Sequence, residues 1–131
     1  DTGDLTDSHR LWHVSKPKPP QRIGSGQIIG DHIYMVNSPG LAQCIELETG
    51  NELWKKRLGR ETWSSLALVN GLLYSTDKSS TTHVLEPSPD GLKVKATNRI
   101  TPPQDNANST PAFASGTIYL RTPTALIAIK E

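Results

Sequence analysis

The chain has 131 residues, with 14 Lys and Arg against 13 Asp and Glu, a formal charge of +1. That length is the size of one domain, and the charge balance excludes a bulk nucleic-acid binder, which needs a basic face to neutralise phosphates. A single cysteine excludes an internal disulfide framework and a multi-cysteine zinc site, and no apolar run approaches the roughly 18 to 20 residues of a membrane helix.

Along the chain, Asp1-Thr2-Gly3 spells the aspartic-protease triplet. That chemistry needs two aspartates on loops flanked by apolar strands, and Asp4 follows here instead. No signal segment is visible at Asp1. Residues 10–13, with Leu11-Trp12, read as a strand. Lys16, Lys18 and Arg22 stand among Pro17, Pro19 and Pro20 as a solvated basic segment. Residues 27–36 (QIIGDHIYMV), 65–76 (SLALVNGLLYST) and 112–121 (AFASGTIYLR) are each two short apolar runs split by a turn pair: Gly30-Asp31, Asn70-Gly71 and Ser115-Gly116. Gly and Asn supply the positive φ of two-residue turns, so these are three β-hairpins. A further strand follows each: residues 43–47 (QCIEL), 83–86 (HVLE) and 126–129 (LIAI). Helical periodicity is nearly absent.

Two markers repeat along the chain. Tyr34, Tyr74 and Tyr119, each after Ile or Leu, are 40 and 45 residues apart, and Leu11-Trp12 and Leu53-Trp54 are 42 apart. Four short strands per 40 to 45 residues is the period of a propeller blade, which buries its faces only by stacking on neighbours. An all-β sandwich also spaces strands regularly; the phased repeat of two different markers favours blades. The expected fold is all-β: blades at about 24–58 and 63–97, a partial blade at about 108–130, and the strand at 10–13 from a preceding or closing blade.

The row CIELETGNELW at residues 44–54 resembles the tryptophan-containing repeat of quinoprotein-type β-propellers, the PQQ-like and BamB-like repeat family, with WD40-like blades as a broader kin. Thr49, Gly50, Leu53 and Trp54 match the repeat, while Asn51 replaces its usual lysine. The blade start with Ser or Thr, then a hairpin ending in Tyr, is matched by Ser64-Ser65 through Tyr74 and by Ser109-Thr110-Pro111 through Tyr119. The resemblance spans most of residues 11–130. It assigns structural roles to Trp12, Tyr34, Thr49, Gly50, Trp54, Gly71, Tyr74, Gly116 and Tyr119, and places Trp54 across the gap to the next blade. The second unit departs from the pattern. It reads Pro87-Ser88-Pro89-Asp90-Gly91-Leu92-Lys93-Val94, which puts Val94 near the tryptophan position and implies a weaker blade contact.

No catalytic set emerges. His9, His13, His32 and His83 lack zinc spacing. Ser64, His32 and Asp77 form a triad only on paper, without a nucleophile elbow. Cys44, in an apolar strand, reads as a buried inert thiol. The sequon Asn108-Ser109-Thr110 fills an ordinary blade start. Lys55-Lys56-Arg57 reads as a solvated run. Arg60 and Trp63, in the loop feeding an innermost strand, are the candidate ligand or partner contact. The family resemblance implies a non-catalytic binding or scaffolding module, the C-terminal part of a larger repeat protein, extracytoplasmic in a bacterium, with no cofactor in this chain. The alternative it leaves open is the end of a dehydrogenase that binds pyrroloquinoline quinone and calcium in other blades. The vicinal cysteine pair and calcium set of such enzymes have no counterpart among these residues. Three blades fall short of the 4 to 8 of closed propellers, and open edges invite pairing. The expected partners are therefore a protein or peptide, the remaining blades of a parent chain, or a second copy joined through the open edges.

Overall fold

The computed structural model describes residues 3–15, 23–100 and 106–130. Among them every regular element is a strand: β1 (Gln27–Ile29), β2 (His32–Asn37), β3 (Leu41–Glu46), β4 (Glu52–Arg57), β5 (Ala67–Val69), β6 (Leu72–Thr76), β7 (Thr81–Glu86), β8 (Lys93–Arg99), β9 (Ala112–Ala114), β10 (Thr117–Arg121) and β11 (Leu126–Lys130). They form three antiparallel meanders in chain order, β1–β4, β5–β8 and β9–β11.

The hairpin turns set the register. Asn70-Gly71 and Ser115-Gly116 have positive φ at both positions, the twist that joins two right-handed strands through two residues. Pairing then aligns the sheets with one another: Tyr34 faces Cys44 and Cys44 faces Trp54, while Tyr74 faces Val84 and Val84 faces Ala96. Both outer strands carry a bulge next to this position, at Leu53 and at Lys95.

The register corrects the expectation for Val94. Val94 pairs with Leu85 as Glu52 pairs with Ile45, so the residue standing where Trp54 stands is Ala96. Between the paired residues Cys44 and Trp54 the chain advances 10 positions, and between Val84 and Ala96 it advances 12, which hid the offset. Val94 itself is exposed.

The sheets stack through recurring contacts. At the inner edge Ser25 N donates to Ser65 Oγ at 2.9 Å, and Ser65 N donates to Thr110 Oγ1 at 2.9 Å. Leu66 N donates back to Ser25 O. At the outer edge the Trp54 indole Nε1 donates to Ser88 O, in the β7–β8 connection of the second sheet's meander, at 2.9 Å. The core between the first two sheets comprises Tyr34, Val36, Ala42, Cys44, Leu66, Leu73 and Leu85, with Trp54 packed against it. Cys44 is fully buried.

The expected strand at residues 10–13 is absent, and the segment does not pair with β11. Instead Trp12 docks on the first sheet, with Nε1 donating to Leu47 O at 2.7 Å. Its ring lies on Gly50, where an added Cβ would meet the indole at 2.7 Å and φ is +75°. Glycine is required there on both counts. Trp12 thus repeats the outer-edge contact of Trp54 from a segment outside any sheet. Lys16, Lys18, Arg22 and the prolines between them lie outside the described residues, as do Asp1 and Thr2.

Trp54→Ala should cost about 3 kcal/mol, the lower end for a large aromatic because the ring is only partly buried. Trp54→Phe keeps much of the apolar contact and should cost less. Urea denaturation of the three proteins checks the order.

Candidate functional site

The turns β2–β3 and β6–β7 and the β4–β5 loop meet at one end of the sheets. Sequence-distant backbone bonds hold them together: Leu58 N and Gly59 N donate to Gly40 O, Thr62 N to Ser38 O, and Lys78 N to Glu61 O. Arg57 donates to Pro39 O. The loop is therefore fastened to both neighbouring sheets.

The fastened loop presents a compact polar and aromatic group. Trp63 Nε1 donates to Glu61 Oε1 at 2.9 Å. Lys78 Nζ sits 4.1 Å from the Trp63 ring centroid and 3.3 Å from Glu61 Oε2. A cation over an indole face is attracted by the ring quadrupole. The Arg60 side chain is exposed beside this group, while its amide donates to Asp77 Oδ2 at 3.3 Å. Sequence reading found Arg60 and Trp63 but missed Glu61 and Lys78. Lys78 is 15 residues beyond Trp63, and only the β6–β7 turn brings it back.

Beneath the rim lies a buried polar pair. Asp77 Oδ1 accepts from Ser79 N, Ser79 Oγ and Thr81 N at 3.0, 2.6 and 3.2 Å. His83 Nε2 stands 3.7 Å from Asp77 Oδ2, within ion-pair reach but beyond hydrogen-bond length. Burial opposes the Asp77 charge, yet the His83 ring, Ser79 and the Arg60 and Thr81 amides outweigh it and hold the carboxyl well below the usual carboxylate range. In the first sheet the aligned positions are Asn37 and Gln43, which bond to each other by side chains. The pairs brace the same hairpin in each sheet.

The other candidates find structural roles. Ser64 Oγ donates to Thr76 O at 2.7 Å, and Ser109 Oγ donates to Arg121 O at 2.7 Å, the same bond in successive sheets. His32 opens β2 beside the Gly30-Asp31 turn, at the opposite end of the sheets from Asp77, so the paper triad does not assemble. Burial pushes the Cys44 thiol up, and it pushes the Tyr34 hydroxyl beside it up to about 12. Thr49 donates to Glu46 inside the β3–β4 turn, and Lys55 pairs with Glu52 at 2.9 Å. Tyr74 packs on Phe113 with centroids 4.8 Å apart. Gly71 and Gly116 occupy hairpin turns, and Tyr119 pairs with Ala112 and Ala128 at the centre of the third sheet.

Quinone chemistry of the resembling enzymes asks for a vicinal cysteine pair and an acidic calcium set. Cys44 is the chain's one cysteine, and no group of three His, Cys, Asp or Glu side chains comes together among the described residues. These residues do not fit that group. No helix among the described residues is long and apolar enough to cross a membrane.

Meandering antiparallel sheets, stacked edge-in and joined by loops at one end, are the blades of a β-propeller. No family model and no curated protein matches the sequence. Solved propellers share the fold. BamB from Moraxella catarrhalis superposes with a TM-score of 0.61 at 10% identity, over 79% of this chain and 29% of that chain. The Cps50 (Swd1) β-propeller domain of Myceliophteria thermophila superposes with a TM-score of 0.64 at 13% identity, over 77% of this chain and 36% of that chain. The chain spans about a third of the length of each.

Two predictions follow from the buried pair. A carboxyl whose folded pKa is depressed stabilises the fold above its unfolded value, about 3.9, and that contribution disappears as pH falls toward the folded value. Denaturation midpoints of the wild type should therefore drop below about pH 4, and Asp77→Asn should flatten part of that slope. Gly59→Ala should cost about 1 to 3 kcal/mol by overpacking, because the new Cβ would lie 2.6 Å from His83 Nε2 and 3.1 Å from Asp77 Oδ2.

Proposed function

We propose that this chain is a run of blades from a larger PQQ-like repeat propeller that binds a protein partner at its loop rim and catalyses nothing itself, working outside the bacterial cytoplasm. The repeat resemblance supports the parent and its location. The observation that carries the binding role is the Glu61, Trp63 and Lys78 group with the exposed Arg60 beside it. A half-buried indole flanked by cations on a backbone already fastened to two blades loses little entropy on binding. Tryptophan and arginine are the side chains that most often anchor protein interfaces. The fitting partner is a polypeptide segment that sets an acidic group beside an apolar one.

A photo-crosslinking residue placed at Arg60 tests this. The expected result is a discrete adduct with one polypeptide, identified by mass spectrometry. Adding Trp63→Ala should remove it, and the probe should give no adduct when moved to Asn70, in the turn at the far end of the second blade. Equal yields from all three proteins would contradict the proposal.

A further inference from the structure

The two blade interfaces differ at the outer-strand tryptophan position. Between the first and second blades, Trp54 fills the space bordered by Tyr34, Ala42, Leu73 and Leu85, and the cavity left there is only about 10 Å³. Between the second and third blades, the register puts Ala96 in the place of Trp54. A groove of about 320 Å³ opens between these two blades, walled by Tyr74, Thr82, Ile118, Leu120, Ile127 and Ile129 and bordered on β8 by Asn98, Arg99 and Ile100, just beyond Ala96. Four of these are the aligned counterparts of the residues around Trp54: Tyr74 of Tyr34, Thr82 of Ala42, Ile118 of Leu73 and Ile129 of Leu85. The groove keeps the walls of an indole site without the indole.

We infer that this groove receives the indole of a tryptophan carried by a partner polypeptide. Three observations choose that occupant. The equivalent place one blade earlier holds an indole ring. Trp12 shows that a segment outside the sheets seats an indole on a blade of this chain, with its N–H on the Leu47 carbonyl. The groove's volume lies at the lower end of ligand-site sizes, and its mainly aliphatic wall suits an aromatic ring, as apolar cavities take up benzene. Thr82 and Asn98, also on its border, bring side-chain oxygens that the indole N–H requires. None of the wall residues belongs to the Glu61, Trp63 and Lys78 group, so the two surfaces stand or fall separately.

Methyl NMR on the full chain with labelled isoleucines, titrated with N-acetyl-tryptophanamide and separately with free indole, tests the assignment. The expected result is saturable shifts of the Ile118, Ile127 and Ile129 methyls by N-acetyl-tryptophanamide, at an affinity equal to or better than that of indole. Ala96→Trp, which puts an indole at the register position that Trp54 holds one blade earlier, should weaken that binding by at least about tenfold and raise the melting temperature. If Ala96→Trp does not fold, Ile127→Lys should abolish the same shifts by placing a charge in the groove. Absence of shifts, or shifts unchanged in the groove variants, would overturn the site. Free indole binding about tenfold tighter than N-acetyl-tryptophanamide would overturn the polypeptide source in favour of a small aromatic molecule.

Discussion

The reach of one indole across a gap is the contact on which the rest of this molecule depends. A four-stranded meander has two faces and no helix to cover either, so each blade is stable only against the next. Trp54 closes the first interface at its outer end, where it packs on Leu85 and Leu92 and donates to Ser88 O. At the inner end, the Ser25, Ser65 and Thr110 hydroxyl and amide contacts pin successive blades in line. Apolar area supplies the strength, and the polar bonds at either end fix the angle.

The rim depends on the same stacking. The β4–β5 loop is the covalent link between two blades, so its geometry is set by how they lean together. Backbone bonds to Ser38, Gly40 and Lys78 leave it little freedom, and the Asp77 carboxylate supports it from below through the Arg60 amide. Three successive blades treat the hairpin beneath the rim differently. The first uses the neutral pair Asn37 and Gln43, the second the ionisable pair Asp77 and His83, and the third has Thr122 with Ile127. Blades that share a backbone plan thus carry different chemistry at one position, and the loss of the polar partner in the third blade contributes Ile127 to the open groove.

Much of this was legible in the sequence because it is local. Asn70-Gly71 and Ser115-Gly116 declare their turns, the tyrosine spacing declares the repeat, and Thr49-Gly50 with Trp54 declares an outer hairpin. The Ser and Thr residues at the blade starts were legible as markers, though not as the bonds between blades. What failed depended on register or on distant contacts. Residues 10–13 carry the Leu-Trp marker, yet they form no strand, and Trp12 docks on the first sheet through its indole. The bulge and the longer second connection moved the tryptophan position from Val94 to Ala96, a shift invisible without the pairing. Glu61 and Lys78 are unremarkable charges until the fold sets them on either side of Trp63.

Native-state hydrogen exchange across the whole chain tests most directly the claim that the indole contact governs blade stacking. The account predicts that amides of β2, β3, β6 and β7, on either side of the Trp54 interface, open only with the highest free energies in the molecule, and that β10 and β11 open at distinctly lower cost. Equal protection in all three blades, or a third blade more protected than the first two, would contradict it.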